Sequence, residues 1–397
     1  MPELDYATLI SRVAAFTLTK SVTLEEIHDW TPDSVGDVIF QITRESAFSL
    51  LAEGVAIGKL HELWRSGTNL VVRTTFPIHV DTLFRRIPEV GGLGLLATAF
   101  GLALASKASS VLDSSGREVS DSLFSALWAT VHKVGGVLPA GAKQYVLFRD
   151  PDYSIPQCLR EDGRRTFPRL GRFRSLLARL GSEITYGKGL GASHAEAQLV
   201  TFLYEAALNS DEHASGSSGA VQGIRGIIIE KTLYHRWAGL DDRPQVPDLI
   251  KPYIRRTWEN TEGDLMFSSY TVADLGPGIH RTLPEKANES SWDRLNRALL
   301  PGESRKPRGS GLSVGQGFTQ ILRAARDLRA FLFIRSAEMS GFKDFSRPAE
   351  QIESPLSRFA ESMHGCVGSS VSLLWPFPEI SPDQMQLFPG ELESALA

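Results

Sequence analysis

The sequence predicts an α/β protein built from two units. Three observations carry this: strand and helix patterns alternate along both halves of the 397-residue chain, a Pro- and Arg-rich stretch separates the halves, and a hydrophobic content of 42% supplies each half with a core. The resulting divisions are an N-terminal α/β domain at 1–150, a linker at 151–192, a second α/β domain at 193–378 and a C-terminal tail at 379–397.

In the first half an apolar helix pattern spans about 45–65, followed by the strand pattern "NLVVRTTF" at 69–76. Val90–Ser106 is the longest uncharged run; at 17 residues, five of them glycine or serine, it is short for a membrane span of about 20 and reads as a buried helix. A helix at about 118–134 and the strand "KQYVLFR" at 143–149 complete this half. It holds no catalytic constellation, and His61 and His132 sit on helical patterns where surface or satisfied core histidines are the rule. The linker carries prolines at 151, 156 and 168 and arginines at 160, 164, 165, 169, 172, 174 and 179. It reads as a solvated connection with a short amphipathic helix near 172–180, the alternative being a basic strip for a partner.

The second half opens with Ser193 and Glu196, a capping-box pattern, and a helix to about Ala214. After "SGSSG" at 215–219 come a strand at 226–232, a helix at about 247–259 and the strand "MFSSYTVADLG" at 266–276. A glycine- and charge-rich stretch leads to a helix at about 313–329, a strand at 330–336 and a last strand, "SSVSLLWPF", at 369–377.

Composition narrows the function classes. A formal charge of −4, from 42 basic and 46 acidic residues, gives no ground for nucleic acid or an anionic membrane as the main partner. Two distant cysteines, Cys158 and Cys366, form neither a disulfide framework nor a zinc-ligand spacing. The acidic start "MPELDYATLI" predicts no secretion signal, and a cytoplasmic location fits.

Three stretches carry candidate chemistry. In "FLYEAALNSDEHA", 202–214, Glu205, Asn209 and His213 recur every four residues, so they project from one side of the predicted helix. A solvent-exposed face would look similar, since Ser210, Asp211 and Glu212 are polar too. In "TVADLGPGI", 271–279, a strand ends at Asp274, and Gly276 and Gly278 turn the chain; a carboxylate so placed can accept a hydrogen bond from an exocyclic amine, although a plain turn has the same pattern. In "RKPRGSGLSVGQGF", 305–318, Gly309, Gly311 and Gly315 precede a helix whose N-terminal N–H groups suit a phosphate, with Arg305, Lys306 and Arg308 beside it. A basic surface loop is the bland alternative. No Gly-x-x-x-x-Gly-Lys-Ser/Thr occurs, and Gly309-x-Gly311 lacks the preceding strand of a dinucleotide fingerprint.

In order, Glu-x-x-x-Asn-x-x-x-His, Asp-x-Gly-x-Gly-Ile, Gly-x-Gly-Leu and "GCVGSSVSLLWP" at 365–376 resemble the landmarks of the GHKL superfamily of ATPases and kinases, which takes in DNA gyrase, heat-shock chaperones, sensor histidine kinases and MutL. The resemblance covers about 193–378. It implies a Bergerat-type α/β sandwich with helices on one face of a mixed sheet, and ATP with Mg²⁺ as cofactors. By the same resemblance Asn209 holds Mg²⁺, Glu205 is the general base, Asp274 reads adenine, and Gly276 and Gly278 shape the pocket floor. Gly309, Gly311 and Leu312 become the second glycine box, with Lys306 and Arg308 as phosphate candidates, and Ser369 or Ser370 takes the place of a threonine near the adenine. Residues 280–308 look like the mobile lid. The second box reads Gly311-Leu312-Ser313 where the family has Gly-Leu-Gly, and the lid stretch is long.

The "YEAALNSDEHA" helix is most similar to the anti-sigma-factor kinase branch, in which serine of a partner protein is phosphorylated; no role is assigned to His213. The implied activity is a Mg-dependent ATPase that couples nucleotide turnover to a conformational or partner-binding switch, with a protein partner or a self-dimer. A serine protein kinase, or a nucleotide-sensing module with little turnover, are the alternatives. A sensor histidine kinase lacks its phosphoacceptor histidine motif here.

Overall fold

The computed structural model describes residues 14–18, 22–30, 38–43, 50–65, 70–77, 110–122, 137–140, 143–149, 167–175, 177, 194–213, 225–234, 239–240, 246–259, 265–303, 316–360 and 366–376. The expected helix at Val90–Ser106, most of the 118–134 helix, the linker up to 166, Ser193, the 215–219 loop and the 379–397 tail lie outside them.

A four-stranded parallel sheet comes first, with β1 (Ala14–Leu18), β2 (Val38–Ile42), β3 (Leu70–Thr74) and β4 (Ser110–Leu112) side by side in that order. Parallel neighbours need crossover connections. Between β1 and β2 runs α1 (Leu24–Asp29), and between β2 and β3 runs α2 (Ala52–Arg65). A capping box starts α1: Glu26 N donates to Thr23 Oγ1 at 3.1 Å and Thr23 N donates to Glu26 Oε2 at 2.7 Å. β1, β2 and β4 have no counterpart among the predicted elements.

The remaining elements in chain order are β5 (Val137–Ala140), β6 (Lys143–Arg149), α3 (His194–His213), β7 (Arg225–Tyr234), α4 (Lys251–Glu259), β8 (Leu265–Asp274), α5 (Ser291–Ala298), α6 (Gly317–Asp327), β9 (Phe331–Ser336), β10 (Met339–Asp344), β11 (Ser357–Ala360) and β12 (Ser369–Pro376). Their eight strands form one sheet in the order β11-β10-β9-β12-β8-β7-β6-β5.

Three expectations are corrected by this sheet. Every neighbouring pair in it is antiparallel, where a mixed sheet was expected. Short turns such as Ala337-Glu338 between β9 and β10 permit only antiparallel pairing. The strand at 143–149, grouped above with the first 150 residues, pairs with β7, so the sheet begins upstream of residue 193. Helices also cover both faces, not one.

The covering explains the strand sequences. On one face Ile227, Ile229, Tyr270, Val272, Leu332, Ile334, Val371, Leu373 and Trp375 pack against α3, α5 and α6. On the other, Ile228, Phe267, Phe331, Phe333 and Leu374 share a core with α4 and with residues of α2 and the parallel sheet. Strands buried on both faces read as continuous apolar runs, as "FLFIRS" of β9 does.

Two glycines one turn apart let α2 lie on the sheet. A Cβ on Gly54 would stand 3.1 Å from Ser370 Cβ and Thr271 Cγ2; one on Gly58 would stand 2.5 Å from Val367 O and 2.8 Å from both Arg335 Nη1 and Cys366 Sγ. Val367 N donates to Gly58 O at 3.3 Å. Arg335, fully buried, donates from Nη1 to Val367 O at 2.6 Å and Gly368 O at 3.2 Å. On the far side of α2, buried Lys59 donates to His28 O at 2.7 Å and Trp30 O at 2.5 Å, and burial pushes its pKa down to about 8 against the opposing pull of Cys366 and Asp29. No helix among the described residues is long and apolar enough to cross a membrane.

Candidate functional site

Strand register gathers polar side chains at one end of the antiparallel sheet. Arg225 stands opposite Asp274, Asp274 opposite Ser369, and Ser369 opposite Ser336, across β7, β8, β12 and β9. Counting by twos from Ile227, Val272, Val371 and Ile334 puts all four on the α3 face. All four are buried, and in the last turn of α3 buried Ser210 lies beside Asp274.

Asp274 is 8% exposed. Burial pushes its carboxyl pKa up; the Gly276 N–H, which donates to Oδ1 at 2.8 Å, opposes this, as do Arg335, Arg225 and Ser210. The turn after it depends on glycine. Gly278 has φ +99°, and a Cβ there would meet Ala337 Cβ and N at 3.1 Å and Ser336 Oγ at 3.2 Å. Gly368, with φ +77°, is pressed so closely on β8 that a Cβ would fall 2.0 Å from Asp274 O. His280 then locks the turn: its backbone N donates to Ser336 Oγ at 3.1 Å and its Nδ1 lies 2.8 Å from the same oxygen. On the other side of the ring, Nε2 is 3.5 Å from Glu338 Oε1. Burial works against ionisation of Glu338, but His280, a backbone N–H and Arg281 outweigh it and hold the carboxyl at about 2.

The predicted stripe on α3 meets the start of α6. A Cβ on Gly317, the first residue of α6, would lie 2.9 Å from both amide heavy atoms of Asn209 and 3.2 Å from Glu205 Oε2. The helix start therefore rests against that amide and carboxylate together, at a distance that a Cβ would force them to widen. Gln316, at the N-cap of α6, makes no side-chain capping bond, so the positive end of the helix dipole faces this junction without a cap of its own. Asn209 Nδ2 and, in the first turn of α6, Thr319 Oγ1 are buried without a hydrogen-bond partner. Orphaned polar atoms are costly unless something completes them.

Compared with family models, curated proteins and solved structures, the chain matches none. The reading of the site therefore rests on its own geometry.

That geometry joins Glu205 and Asn209 to one helix start, and Asp274, Gly276, Gly278 and Ser369 to one sheet end, with Ser210 following directly on Asn209. It separates the two serines. Ser370 points to the opposite face, towards Gly54 of α2, because neighbours in a strand alternate; of the pair Ser369 or Ser370, only Ser369 reaches the site. Lys306, Arg308, Gly309, Gly311 and Leu312 lie outside the described residues.

The stretch expected as a mobile lid, 280–308, is folded and packed as far as Glu303. Leu295, Ala298 and Leu299 are part of the core, and Ser290 and Asp293 form a capping box for α5. Buried Arg297 donates to Glu289 Oε1 at 2.5 Å, Glu303 Oε2 at 3.0 Å and Pro284 O at 2.6 Å, and Arg297 holds the Glu289 carboxyl at about 2. Residues 304–308 are outside the described residues.

Arg225, Gly317, Gly368 and His280 were not among the predicted site residues. Gly317 and Gly368 lie inside the quoted glycine stretches, but only the partner each approaches shows that it is needed. Arg225 carries one local signal, a charge at the head of the run "GIIIEKT", and its partner Asp211 is distant in sequence.

Proposed function

We propose that this protein binds ATP with Mg²⁺ in the manner of the GHKL superfamily and hydrolyses it to drive a change of shape or of partner binding. The observation that carries the reading is the meeting of Gly317 with Asn209 and Glu205. A helix N-terminus after a glycine-rich stretch favours phosphate, and the neighbouring amide oxygen and carboxylate are hard oxygen donors suited to Mg²⁺ and to proton transfer. Bound Mg²⁺ would neutralise charge on the phosphates, and the amide oxygen of Asn209, at the start of α6, is the donor that would hold it.

Each remaining residue has work that suits its surroundings. Glu205, at the same junction, is placed to take the proton of an attacking water. Asp274 offers a buried acceptor to the exocyclic amine of adenine, the Gly276–Gly278 turn leaves room for a flat ring, and Ser369 stands beside the acceptor. We propose a cytoplasmic setting and a protein partner or a second copy of the chain as the recipient of the switch.

The test is phosphate release by the purified protein with Mg-ATP, alone and after Glu205→Gln. The variant should bind ATP as the wild type does and release at least a hundredfold less phosphate, within the range general-base loss produces. Turnover unchanged in the variant sinks Glu205 as base. Silence of the wild type until a partner is added, followed by label on a partner serine, selects the protein-kinase alternative.

A further inference from the structure

We infer that Arg225 is a positioning residue of this nucleotide site, fixing the last turn of α3 on the sheet and keeping the Asp274 carboxylate in its hydrogen-bond-accepting form. The inference rests on the nucleotide reading for its purpose, and on strand register and side-chain geometry for its substance.

Arg225 heads β7, is 4% exposed, and faces Asp274 across the strand pair. Its Nη1 donates to Asp211 Oδ1 at 2.8 Å and to Asp211 O at 2.9 Å, so one guanidinium grips both the side chain and a carbonyl in the C-terminal turn of α3. A cation at a helix C-terminus is favourably placed in itself. Asp211 is two residues beyond Asn209 and six beyond Glu205, so this grip sets the height of the same helix that brings those two side chains to Gly317.

Charge counting shows what else the guanidinium does. Around Asp274 are Arg225 on β7, Asp211 on α3 and Arg335 from the back of β9, two carboxylates with two guanidiniums. Farther off, His280, Arg281 and Glu338 gather round Ser336, and Lys59 and Cys366 lie beyond Arg335 towards α2. Without Arg225, buried Asp274 and half-buried Asp211 share one nearby cation, and burial favours the neutral form of Asp274. A protonated carboxyl has lost acceptor strength for an amine, so the loss of nucleotide affinity on acidification begins at a higher pH than in the wild type.

The experiment titrates trinitrophenyl-ATP with Mg²⁺ into the full chain between pH 5.5 and 8.5, for wild type, Arg225→Gln, Arg225→Lys and Asp211→Asn. Wild type, its Asp274 pKa raised by burial and held back by Arg225 and Arg335, should weaken as pH falls through that pKa. Arg225→Gln should begin the same fall, about tenfold per pH unit, at a higher pH. Arg225→Lys should restore most of the wild-type profile, and Asp211→Asn should weaken binding at every pH equally. An Arg225→Gln profile that falls at the same pH as the wild type's overturns the inference. A thermal-melting cycle at pH 8 with Asp274→Asn, Arg225→Gln and the double variant provides a readout that needs no nucleotide. Asp274→Asn should raise the melting temperature more in the Arg225→Gln background than in wild type, and simply additive shifts overturn the role of Arg225. Failure of the wild type to bind the probe at any pH overturns the nucleotide reading instead.

Discussion

Replacing Gly317 with alanine should separate stability from activity. The new Cβ would stand 2.9 Å from the amide nitrogen and oxygen of Asn209 and 3.2 Å from Glu205 Oε2. Carbon contacts relax at about 3.5 Å or more, so the amide has to retreat by roughly 0.5 Å and the carboxylate by less. Both groups are the ends of side chains, and the backbone need not follow. In the helix itself alanine is favoured over glycine by up to ~1 kcal/mol, less in a first turn. Stability should therefore stay level or rise slightly. Hydrolysis should fall: where a displacement of about 1 Å costs some 10²-fold, half that distance costs about tenfold, near 1.4 kcal/mol of barrier. The assay is phosphate release under saturating Mg-ATP beside a thermal melt. Gly171→Ala serves as control, since a Cβ there meets nothing within 4 Å and should leave turnover alone. Wild-type turnover by Gly317→Ala would refute the placement of Asn209 and Glu205 at the reacting phosphates.

Three further outcomes are expected. Gly58→Ala should destabilise by about 2 kcal/mol, overpacking of ~1–3 kcal/mol less a small helix gain, because its Cβ meets the Val367 carbonyl at 2.5 Å and a backbone atom cannot step aside; a urea melt reads it, and an unchanged midpoint refutes the close packing of α2. Asp274→Asn should abolish ATP binding while raising the melting temperature at neutral pH. The buried carboxyl has a raised pKa, so the folded state is penalised above that pKa, and the gain in the variant should shrink as pH falls through it. Lys59 has the opposite sign for a base: held at about 8, it binds a proton less readily folded than unfolded, so wild type should gain stability between pH 8 and 10.5. Comparison of melts with Lys59→Met checks this, and parallel pH curves for the two proteins would contradict it.

What could be read from the sequence depended on how far apart the cooperating residues lie. The helix at 194–213 was legible because caps and spacing are local, and β8, β9 and β12 were legible because strands buried on both faces read as long apolar runs. β10, with its "MSGFKD", showed no such run, and β1 and β2 had no counterpart among the predicted elements. The faces were not legible at all. That α2 would cover the back of strands that come much later in the chain is written in Gly54 and Gly58, and glycine spacing on a helix has many other meanings. In the site, the stripe on α3 and the turn at Asp274 were visible, because each is a short motif. Arg225 and Ser369 became neighbours of Asp274 through register, which no local pattern encodes, while strand alternation divided Ser369 from Ser370.

Buried polarity is distributed unevenly over this sheet, and the distribution bears on function. The middle of the α3 face is largely hydrocarbon, whereas its end holds Arg225, Asp274, Ser369, Ser336 and His280. Apolar residues of similar volume in place of buried ions are often neutral or stabilising, so stability alone does not account for charges kept there. Arg335 on the back face is more fully buried still, but its Nη1 hydrogen bonds go to Cys366, Val367 and Gly368, the segment that enters β12. Its work is to hold that segment where Gly368 can press on the Asp274 carbonyl. The same segment is what Gly58 of α2 touches. The helix of the parallel-sheet unit and the acceptor of the candidate nucleotide site are thus separated by one short stretch, Cys366–Gly368, and polar groups on the two faces of the sheet act on one position from opposite sides.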